Sequence, residues 1–356
     1  MHGPPAPPDA GKLPENAAGL VDLAAAGSVR ATARLLSRLE TGGSGAAQIS
    51  AAITGRTRAA AVWGLTGPPG VGKSTLTAAL ISDSRAAGRR VAVLAVDPSS
   101  PFSGGALLGD RVRMSEHVTD PGVFIRSMAS RGHLGGLSPA TPAAVDLMAA
   151  IGFDVVMVET VGVGQNEIDV LRLADTVVVV TAPGAGDGIQ AAKAGILEIA
   201  DVLVVNKADR EGAAGTVREL KAMIALGRSG RQSVDRWRIP VLCTTATQGT
   251  GIPELVQQIR LHAEFGAATG LDRHRRRARS EIAIETLVLE RLHRLLRSDA
   301  GRTRLAAAAA ELADSAGDAN VGAAALWRWL AAQPSGPTPS GEVSGRAPHL
   351  GQEFGQ

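Results

Sequence analysis

The sequence predicts an α/β protein built on a doubly wound, mostly parallel sheet. Short runs rich in valine recur through the middle of the chain and alternate with stretches of helical apolar spacing. Within these runs polar and apolar residues hardly alternate, which is typical of strands covered by helices on both faces. A glycine-rich turn follows the first run and opens a helical stretch. Strands that alternate with helices in this way form parallel sheets.

Seven of these runs are predicted to be strands. They are Ala61–Thr66, Val91–Val96, Val123–Ile125, Asp154–Glu159, Thr176–Thr181, Val202–Val205 and Pro240–Thr244.

Helices are predicted on both sides of this core. Residues 17–41 carry apolar residues at helical spacing, Gly42–Gly45 is a predicted break, and residues 280–298 form a strongly amphipathic helix. The basic run Arg273–Arg279 is interpreted as a solvated helix start or a linker, with a surface for an acidic partner as the alternative. The predicted organisation is a disordered tail (1–16), an N-terminal helical extension (17–59), an α/β domain (60–268), a C-terminal helical arm (269–332) and a second disordered tail (333–356).

The composition argues against two classes of partner. The 37 basic and 34 acidic residues give a net charge of +3, too small for a nucleic-acid-binding face, and aromatic residues make up only 3% of the chain. The longest strongly apolar run, Val177–Ala182, is far too short to cross a bilayer. We therefore expect neither a nucleic acid nor a membrane as partner.

The cysteine content indicates a reducing compartment. Cys243 is the single cysteine, which excludes an intrachain disulfide and a thiolate-rich metal site. It lies in an apolar strand pattern and is predicted to be buried. Met1–Asp9 lacks the apolar segment of a signal peptide, so we expect a cytoplasmic protein.

The strongest motif is a phosphate-binding loop at Gly67–Ser74, which matches G-x-x-x-x-G-K-[ST] in full between a strand and a helix. Its glycines let backbone N–H groups surround phosphate oxygens, and the helix N-terminus adds its positive dipole end. Lys73 is expected to act in catalysis on the β- and γ-phosphates, and Ser74 to give its hydroxyl to Mg²⁺. The predicted phosphate-binding residues are Gly67, Pro68, Pro69, Gly70, Val71, Gly72, Lys73, Ser74 and Thr75.

A second motif, Asn206-Lys-Ala-Asp209, follows a later strand and predicts recognition of guanine. The Asp209 carboxylate can accept two parallel hydrogen bonds from guanine, whereas adenine leaves it unpaired at a cost of about 1–3 kcal/mol. Lys207 can lay its aliphatic stem along the base. Thr245 and Ala246, after the next strand, are expected to bring a backbone N–H near the guanine O6 atom.

Three acidic residues are candidates for the metal site. Glu159-Thr-Val-Gly162 ends a strand where related loops carry D-x-x-G, so Glu159 is expected near Mg²⁺ and Gly162 near the γ-phosphate. Asp97 ends the strand beside the phosphate-binding loop, and Asp110 lies a little further on. One of these two aspartates is expected to be only a helix cap or an ion-pair partner.

Arg131, in the glycine-rich stretch that ends at Gly136, is a candidate for stabilising charge on the transferred phosphate, and a structural salt bridge is an equal alternative.

Together these residues resemble the MeaB/ArgK-type GTPases, which are G-protein chaperones of cobalamin-dependent acyl-CoA mutases. The resemblance extends from the N-terminal helices to about residue 332. The segments that carry it are Gly67–Ser74, Asp97–Met114, Arg126–Ser138, Glu159–Glu167, Pro183–Gln190 and Asn206–Asp209.

The resemblance implies a G domain of the SIMIBI class with a C-terminal arm that forms a homodimer, and GTP/GDP and Mg²⁺ as cofactors. It also implies that the GTPase gates the loading of adenosylcobalamin into a mutase and the removal of inactivated cofactor. Lys73, Ser74, Asp97, Asp110 and Glu159 fall on the family's phosphate and Mg²⁺ positions. The segment Asp187–Lys193 falls where the family signals nucleotide state to the mutase, although its acidic residue and one lysine are replaced here.

Two alternative functions follow from the same class of fold. A metal-insertion GTPase that delivers nickel requires Cys and His clusters, and this chain has one cysteine and scattered histidines. A kinase or ATPase associated with amino-acid transport requires ATP, against which Asp209 argues.

Overall fold

The computed structural model describes residues 12–56, 59–97, 116–129, 140–160, 172–184, 199–227, 237–315 and 318–333. Its internal contacts divide the chain into two compact units, residues 1–288 and residues 289–356. The first unit carries the sheet and every described residue of the sequence motifs. None of the described helices combines the length and the apolarity needed to cross a membrane.

The first unit contains a seven-stranded sheet in which every pairing is parallel, with the strand order β3-β2-β4-β1-β5-β6-β7. The predicted doubly wound α/β fold is therefore confirmed. The strands are β1 (Ala61–Thr66), β2 (Val91–Asp97), β3 (Val123–Ala129), β4 (Val155–Thr160), β5 (Thr176–Thr181), β6 (Val202–Val205) and β7 (Val241–Cys243).

Strand β1 occupies the middle of the sheet, between β4 and β5. The chain continues from β1 to β2 on one side, whereas β5, β6 and β7 lie on the other side, so the strand order reverses beside β1. Ligands of open α/β sheets bind at the carboxyl ends of the strands at such a switch point. The fold thus places the end of β1, and the loop that follows it, at the expected binding edge.

Helices cover both faces of the sheet. They are α1 (Ala17–Ala25), α2 (Val29–Thr41), α3 (Gly43–Ile53), α4 (Lys73–Ala86), α5 (Ala140–Ala150), α6 (Ala213–Gly227) and α7 (Ile252–Thr269). One apolar core joins α1–α3 and α5 to one face, and a second joins α4 and α7 to the other. Because the strands are covered twice, β4, β5 and β6 are buried along their whole length.

The N-terminal helices pack on the same body as the sheet. The Asn16 and Ser28 side chains cap α1 and α2 by accepting hydrogen bonds from backbone N–H groups of their first turns. Arg126 on β3 forms an ion pair with Glu40 of α2 at 2.5 Å. The predicted break at Gly42–Gly45 is narrower than expected, because α3 begins already at Gly43 and only Gly42, with φ of +75°, separates the two helices.

The basic run is part of a helix, α8 (Leu271–Arg297), which begins nine residues before the predicted amphipathic segment. Arg275 forms an ion pair with Asp201 at 2.7 Å, and Arg279 forms one with Asp175 at 2.9 Å. Both aspartates lie just before strands, at the amino edge of the sheet. The run is therefore neither simply solvated nor a linker, since two of its arginines attach α8 to the sheet.

The second unit contains the end of α8 together with α9 (Asp299–Ser315) and α10 (Ala319–Ala331). The guanidinium of Arg304 lies over the ring of Trp329, 5.4 Å from its centroid, so the two shorter helices contact each other. No residue of α10 is buried.

The prediction of a buried cysteine is wrong, because Cys243 is exposed. It ends β7, which among the described strands pairs only with β6 and forms an edge of the sheet. The apolar pattern indicated a strand correctly, but it could not show that the strand lies at an edge.

Candidate nucleotide-binding site

The phosphate-binding loop connects β1 to α4 in a conformation that only glycine permits at two positions. Gly67 has φ of +147°, and a Cβ there would lie 2.0 Å from the backbone oxygen of Val180. Gly72 has φ of +93°, and a Cβ there would lie 2.6 Å from Nδ2 of Asn206. The loop can therefore pack directly against β5 and Asn206, and α4 begins at once with Lys73. This arrangement is a helix N-terminus preceded by a glycine turn, which binds anions.

Lys73 is buried against the loop that precedes it. Its Nζ donates hydrogen bonds to the carbonyl oxygens of Gly67 at 2.7 Å and Pro68 at 3.1 Å. The ammonium group is thus held at the mouth of the loop, where these carbonyls satisfy it.

The other loop residues differ in burial. Val71 packs into the core and Thr75 is half-buried in the first turn of α4, whereas Pro69 and Gly70 are exposed.

Glu159 ends β4 directly beside the loop, since it pairs in register with Leu65 of β1. Its side chain is only 2% exposed, so its charge must be compensated within the protein. Oε1 accepts a hydrogen bond from Ser74 Oγ at 2.9 Å, and Oε2 accepts one from Thr77 Oγ1 at 2.8 Å. The structure therefore brings together Ser74 and Glu159, two of the predicted metal-site residues.

Thr77 was missed by the motif analysis, because the loop pattern ends at Ser74. It is fully buried on α4. A signal was present in the sequence: residues three apart on a helix share a face, so a hydroxyl at 77 lies on the same side of α4 as the one at 74.

Asn206 joins the phosphate-binding loop to the segment after β7. Its Nδ2 donates to the Val71 carbonyl oxygen at 3.0 Å. Its Oδ1 accepts from Thr244 Oγ1 at 3.1 Å and from the Ala246 N–H at 3.2 Å. Because the side chain is 2% exposed and uses both ends of its amide, it holds the two loops at a set distance.

Lys207 and Asp209 lie on the loop after β6. Lys207 has φ of +56°, a left-handed conformation that is uncommon for a residue with a side chain, and its Nζ donates to the Gly70 carbonyl oxygen at 2.6 Å. Asp209 is exposed. Within the described part of the chain, its carboxylate makes no hydrogen bond or ion pair, so it is free to accept hydrogen bonds from a ligand.

Thr245 and Ala246 are buried at the same edge, and both of their backbone N–H groups already have acceptors. The Thr245 N–H donates to the Thr250 carbonyl oxygen at 3.0 Å, and the Ala246 N–H donates to Asn206. A purine O6 atom near Ala246 would therefore share a donor with the Asn206 amide.

Four predicted site residues are not placed by the described structure. Asp110, Arg131 and Gly162 lie outside the described residues, as does the segment 187–193. Asp97 ends β2, beside β4, but its side chain falls outside the described part. Their roles stay predictions.

A second polar cluster lies at the opposite edge of the sheet. Asp201, which is buried, receives two hydrogen bonds from Arg275 at 2.7 Å and one from the Val177 N–H at 2.8 Å. His262 Nε2 lies 3.2 Å from its carboxylate. Burial raises the pKa of Asp201, but the contacts with His262 and Arg275 outweigh burial and hold this pKa below its ordinary value.

A cavity of about 850 Å³ adjoins this cluster, between the starts of β1 and β5 and the helices α7 and α8. None of the described motif residues lines it, so it is separate from the phosphate-binding loop.

The fold and the site define a P-loop GTPase: a parallel sheet with a glycine loop at its switch point, a buried acid beside it and an N-K-x-D loop next to it. The chain belongs to the family described as methylmalonyl Co-A mutase-associated GTPase MeaB, whose model matches residues 32–300.

Relatives agree with this assignment, and a solved structure agrees with the fold. A protein of Pyrococcus abyssi named as a GTPase is 51% identical over 269 residues, which cover 76% of this chain and 83% of that protein. The mouse protein named methylmalonic aciduria type A homolog is 36% identical over 227 residues, covering 64% of this chain and 55% of that protein. The crystal structure of an LAO/AO transport system kinase superposes with a TM-score of 0.61 at 24% identity, over 90% of this chain and 100% of that one, and supports the fold alone.

Proposed function

We propose that this GTPase acts as the chaperone of a cobalamin-dependent acyl-CoA mutase, in which GTP binding and hydrolysis gate the loading of adenosylcobalamin and the removal of inactivated cofactor. The observation that carries the nucleotide part is the meeting of Gly67–Ser74, Glu159 and Asn206–Asp209 at one edge of the sheet. The partner part rests on the description of the family, which names methylmalonyl-CoA mutase.

In this proposal the loop binds the phosphates through the backbone N–H groups of residues 70–75, since Pro68 and Pro69 have no N–H to donate. Lys73 exchanges the Gly67 and Pro68 carbonyls for phosphate oxygens, which costs little because its charge remains hydrogen-bonded throughout. A positive charge held at this position stabilises the negative charge that develops when the γ-phosphate leaves.

The residues present fit Mg²⁺. Mg²⁺ prefers oxygen ligands and is usually held by one or two carboxylates or hydroxyls together with the substrate phosphates. Ser74 Oγ and the buried Glu159 carboxylate supply such oxygens 2.9 Å apart at the mouth of the loop. Ser74 would hold the ion, and Glu159 would orient Ser74 and a water molecule bound to the ion. The ion would neutralise charge on the phosphates. Asp97 and Asp110 remain candidates for the same site.

Guanine selection is assigned to Asp209, whose exposed carboxylate accepts hydrogen bonds from the base. Lys207 is held in place for contact with the base by its hydrogen bond to Gly70. Asn206 does not need to touch the nucleotide, since its amide joins the two loops between which the base would lie.

The C-terminal arm is proposed to form a homodimer. On the part of α8 that belongs to the first unit, Ile284, Leu287 and Val288 are more than half exposed, at 63%, 58% and 53%. A symmetric pair of arms would bury both apolar stripes. Light scattering on the full chain and on a chain ending at residue 268 tests this, and a full-length monomer at micromolar concentration would contradict it.

The function is tested by steady-state hydrolysis of GTP by the full chain, alone and with a purified cobalamin-dependent acyl-CoA mutase. We expect slow hydrolysis alone and faster hydrolysis with the mutase, because a bound partner can add preorganised groups that stabilise the transition state. Gln190 and Lys193 are residues of the segment 187–193 that keep the family's pattern. Replacing both by alanine should keep the basal rate and abolish the stimulation.

Two results would contradict the proposal separately. Equal affinity for ATP and GTP would contradict guanine selection by Asp209. Absence of stimulation by every cobalamin-dependent mutase tried would contradict the chaperone role and leave the GTPase itself intact.

A further inference from the structure

Glu159 is held by two hydroxyl groups from one face of α4, and only one of them belongs to the phosphate-binding motif. Ser74 Oγ donates to Oε1 and Thr77 Oγ1 donates to Oε2, at 2.9 and 2.8 Å. All three side chains are buried, with 4%, 0% and 2% of Ser74, Thr77 and Glu159 exposed. Both oxygens of the carboxylate therefore accept hydrogen bonds from the same helix, α4.

The Thr77 hydroxyl has a choice of acceptors, because it carries one proton and lies near two oxygens. One is the Lys73 carbonyl oxygen at 3.1 Å, the usual acceptor for a threonine within a helix, and the other is Glu159 Oε2 at 2.8 Å. A hydrogen bond to an ionised acceptor is shorter and roughly twice as strong as one to a neutral acceptor. The proton therefore goes to Glu159, and the carbonyl contact is secondary.

A glutamate at this position needs a second anchor more than an aspartate would. Its side chain has one more rotatable bond, so more conformations must be excluded to keep the carboxylate in one orientation. Thr77 excludes some of these conformations by holding Oε2.

We propose that Thr77 is a positioning residue for the metal half of the nucleotide site: it orients the Glu159 carboxylate toward Ser74, and through them it sets the affinity for Mg²⁺ in the nucleotide complex. This inference rests on the proposed function, because it concerns the same site. Thr77 touches neither nucleotide nor metal in it. Groups that orient metal ligands from outside typically change metal affinity by about 10–100-fold when they are removed.

The experiment compares the parent with three full-length variants. Thr77→Val removes the hydroxyl and keeps the branched shape, and Thr77→Ser restores a hydroxyl. Thr32→Val is the matched control, because Thr32 is also a buried helical threonine, with its hydroxyl 2.9 Å from the Ser28 carbonyl oxygen four residues earlier, but it belongs to α2. Calorimetry measures the Kd of GDP for each protein in excess Mg²⁺ and in EDTA.

The proposal is tested by the ratio of the GDP Kd in EDTA to the GDP Kd in excess Mg²⁺. This ratio measures how much Mg²⁺ strengthens nucleotide binding. We expect Thr77→Val to reduce this ratio about tenfold while the Kd in EDTA stays close to that of the parent. Thr77→Ser should recover most of the ratio, and Thr32→Val should leave it unchanged even if its thermal stability falls.

An unchanged ratio in Thr77→Val, beside a large ratio in the parent, would overturn the role of Thr77 alone. Equal weakening of GDP binding in Mg²⁺ and in EDTA would also overturn it, because it would mean a general disturbance of α4. A parent that binds GDP equally well with and without Mg²⁺ would overturn the Mg²⁺ site of the proposed function, and the inference with it.

Discussion

Replacing Asp201 by asparagine tests how firmly α8 is attached to the sheet. The carboxylate accepts hydrogen bonds from the Val177 N–H on β5 and from two N–H groups of Arg275 on α8, so a single side chain connects a strand to α8. Asparagine keeps the shape, but it loses the charge and presents an NH₂ group toward a guanidinium that can only donate. The variant therefore breaks the attachment without creating a cavity.

The magnitude follows from the burial of the two partners. Removing one partner of a buried ion pair typically costs about 3–5 kcal/mol, because the other charge stays buried and uncompensated. Here the Asp201 side chain is 9% exposed but that of Arg275 is 22% exposed, so the guanidinium can recover part of its hydration. We therefore expect a loss of about 2–3 kcal/mol in the free energy of unfolding.

The stability difference between the parent and Asp201→Asn should depend on pH in a direction that follows from the pKa of Asp201. The folded pKa of Asp201 lies below its ordinary value, so the contribution of Asp201 to stability is fully present above that ordinary value and is lost as the pH falls through the folded pKa. The stability difference between parent and Asp201→Asn should thus be largest near neutral pH. It should shrink as the pH falls below about 4, because the carboxyl group of the unfolded chain binds a proton there before that of the folded protein does.

Urea unfolding at about pH 7, 5 and 3 measures the difference, with Asp272→Asn as the matched control. Asp272 also forms an ion pair with an arginine of the basic run, at 2.5 Å to Arg276, but Arg276 is 61% exposed and Asp272 is 35% exposed. Solvent-accessible pairs of this kind contribute about 0–1 kcal/mol. A cost for Asp201→Asn no larger than the control, or one that does not depend on pH, would refute the reasoning.

Three further predictions concern the nucleotide site. Gly67→Ala should abolish nucleotide binding, because its Cβ would lie 2.0 Å from the Val180 carbonyl oxygen. Gly70→Ala meets nothing within 4 Å and is strained only by its φ of +78°, so it should weaken the free energy of binding by about 1–2 kcal/mol. Equal losses of binding by calorimetry in the two variants would contradict this. Lys73→Ala should abolish GTP hydrolysis with the fold intact by circular dichroism, and residual turnover near that of the parent would remove Lys73 from catalysis. Asp209→Asn should weaken GTP binding and admit xanthosine triphosphate in a competition assay, and an unchanged preference for guanine would assign base selection elsewhere.

Local sequence patterns were sufficient for the sheet and for the phosphate-binding loop. The strands carry valine-rich runs that are typical of a sheet covered on both faces, and the loop requires glycine for its geometry. Each can therefore be predicted from the residues of its own segment. The position of the Asn206–Asp209 motif after β6 was predictable for the same reason, because a parallel strand delivers its following loop to the binding edge.

The attachments between distant segments were not predictable in this way. The basic run looked like a solvated helix start, because its charges are regular in sequence and nothing local reveals that Asp201 and Asp175 lie opposite Arg275 and Arg279. Cys243 looked buried, because an apolar strand pattern is the same at the edge and at the centre of a sheet. In both cases the missing information is the identity of the neighbour across space.

The sequence by itself therefore determined the class of fold, the phosphate-binding loop and the guanine motif, because each depends on the conformational needs of a few consecutive residues. Only the tertiary structure showed that Thr77 and Ser74 both donate hydrogen bonds to Glu159, that the Asn206 amide joins two loops, and that α8 is attached to the sheet through ion pairs with Asp201 and Asp175. These contacts join residues up to 135 positions apart, as between Asn206 and Val71. They exist because the parallel sheet brings the ends of its strands to common edges, which no pattern along a single segment encodes.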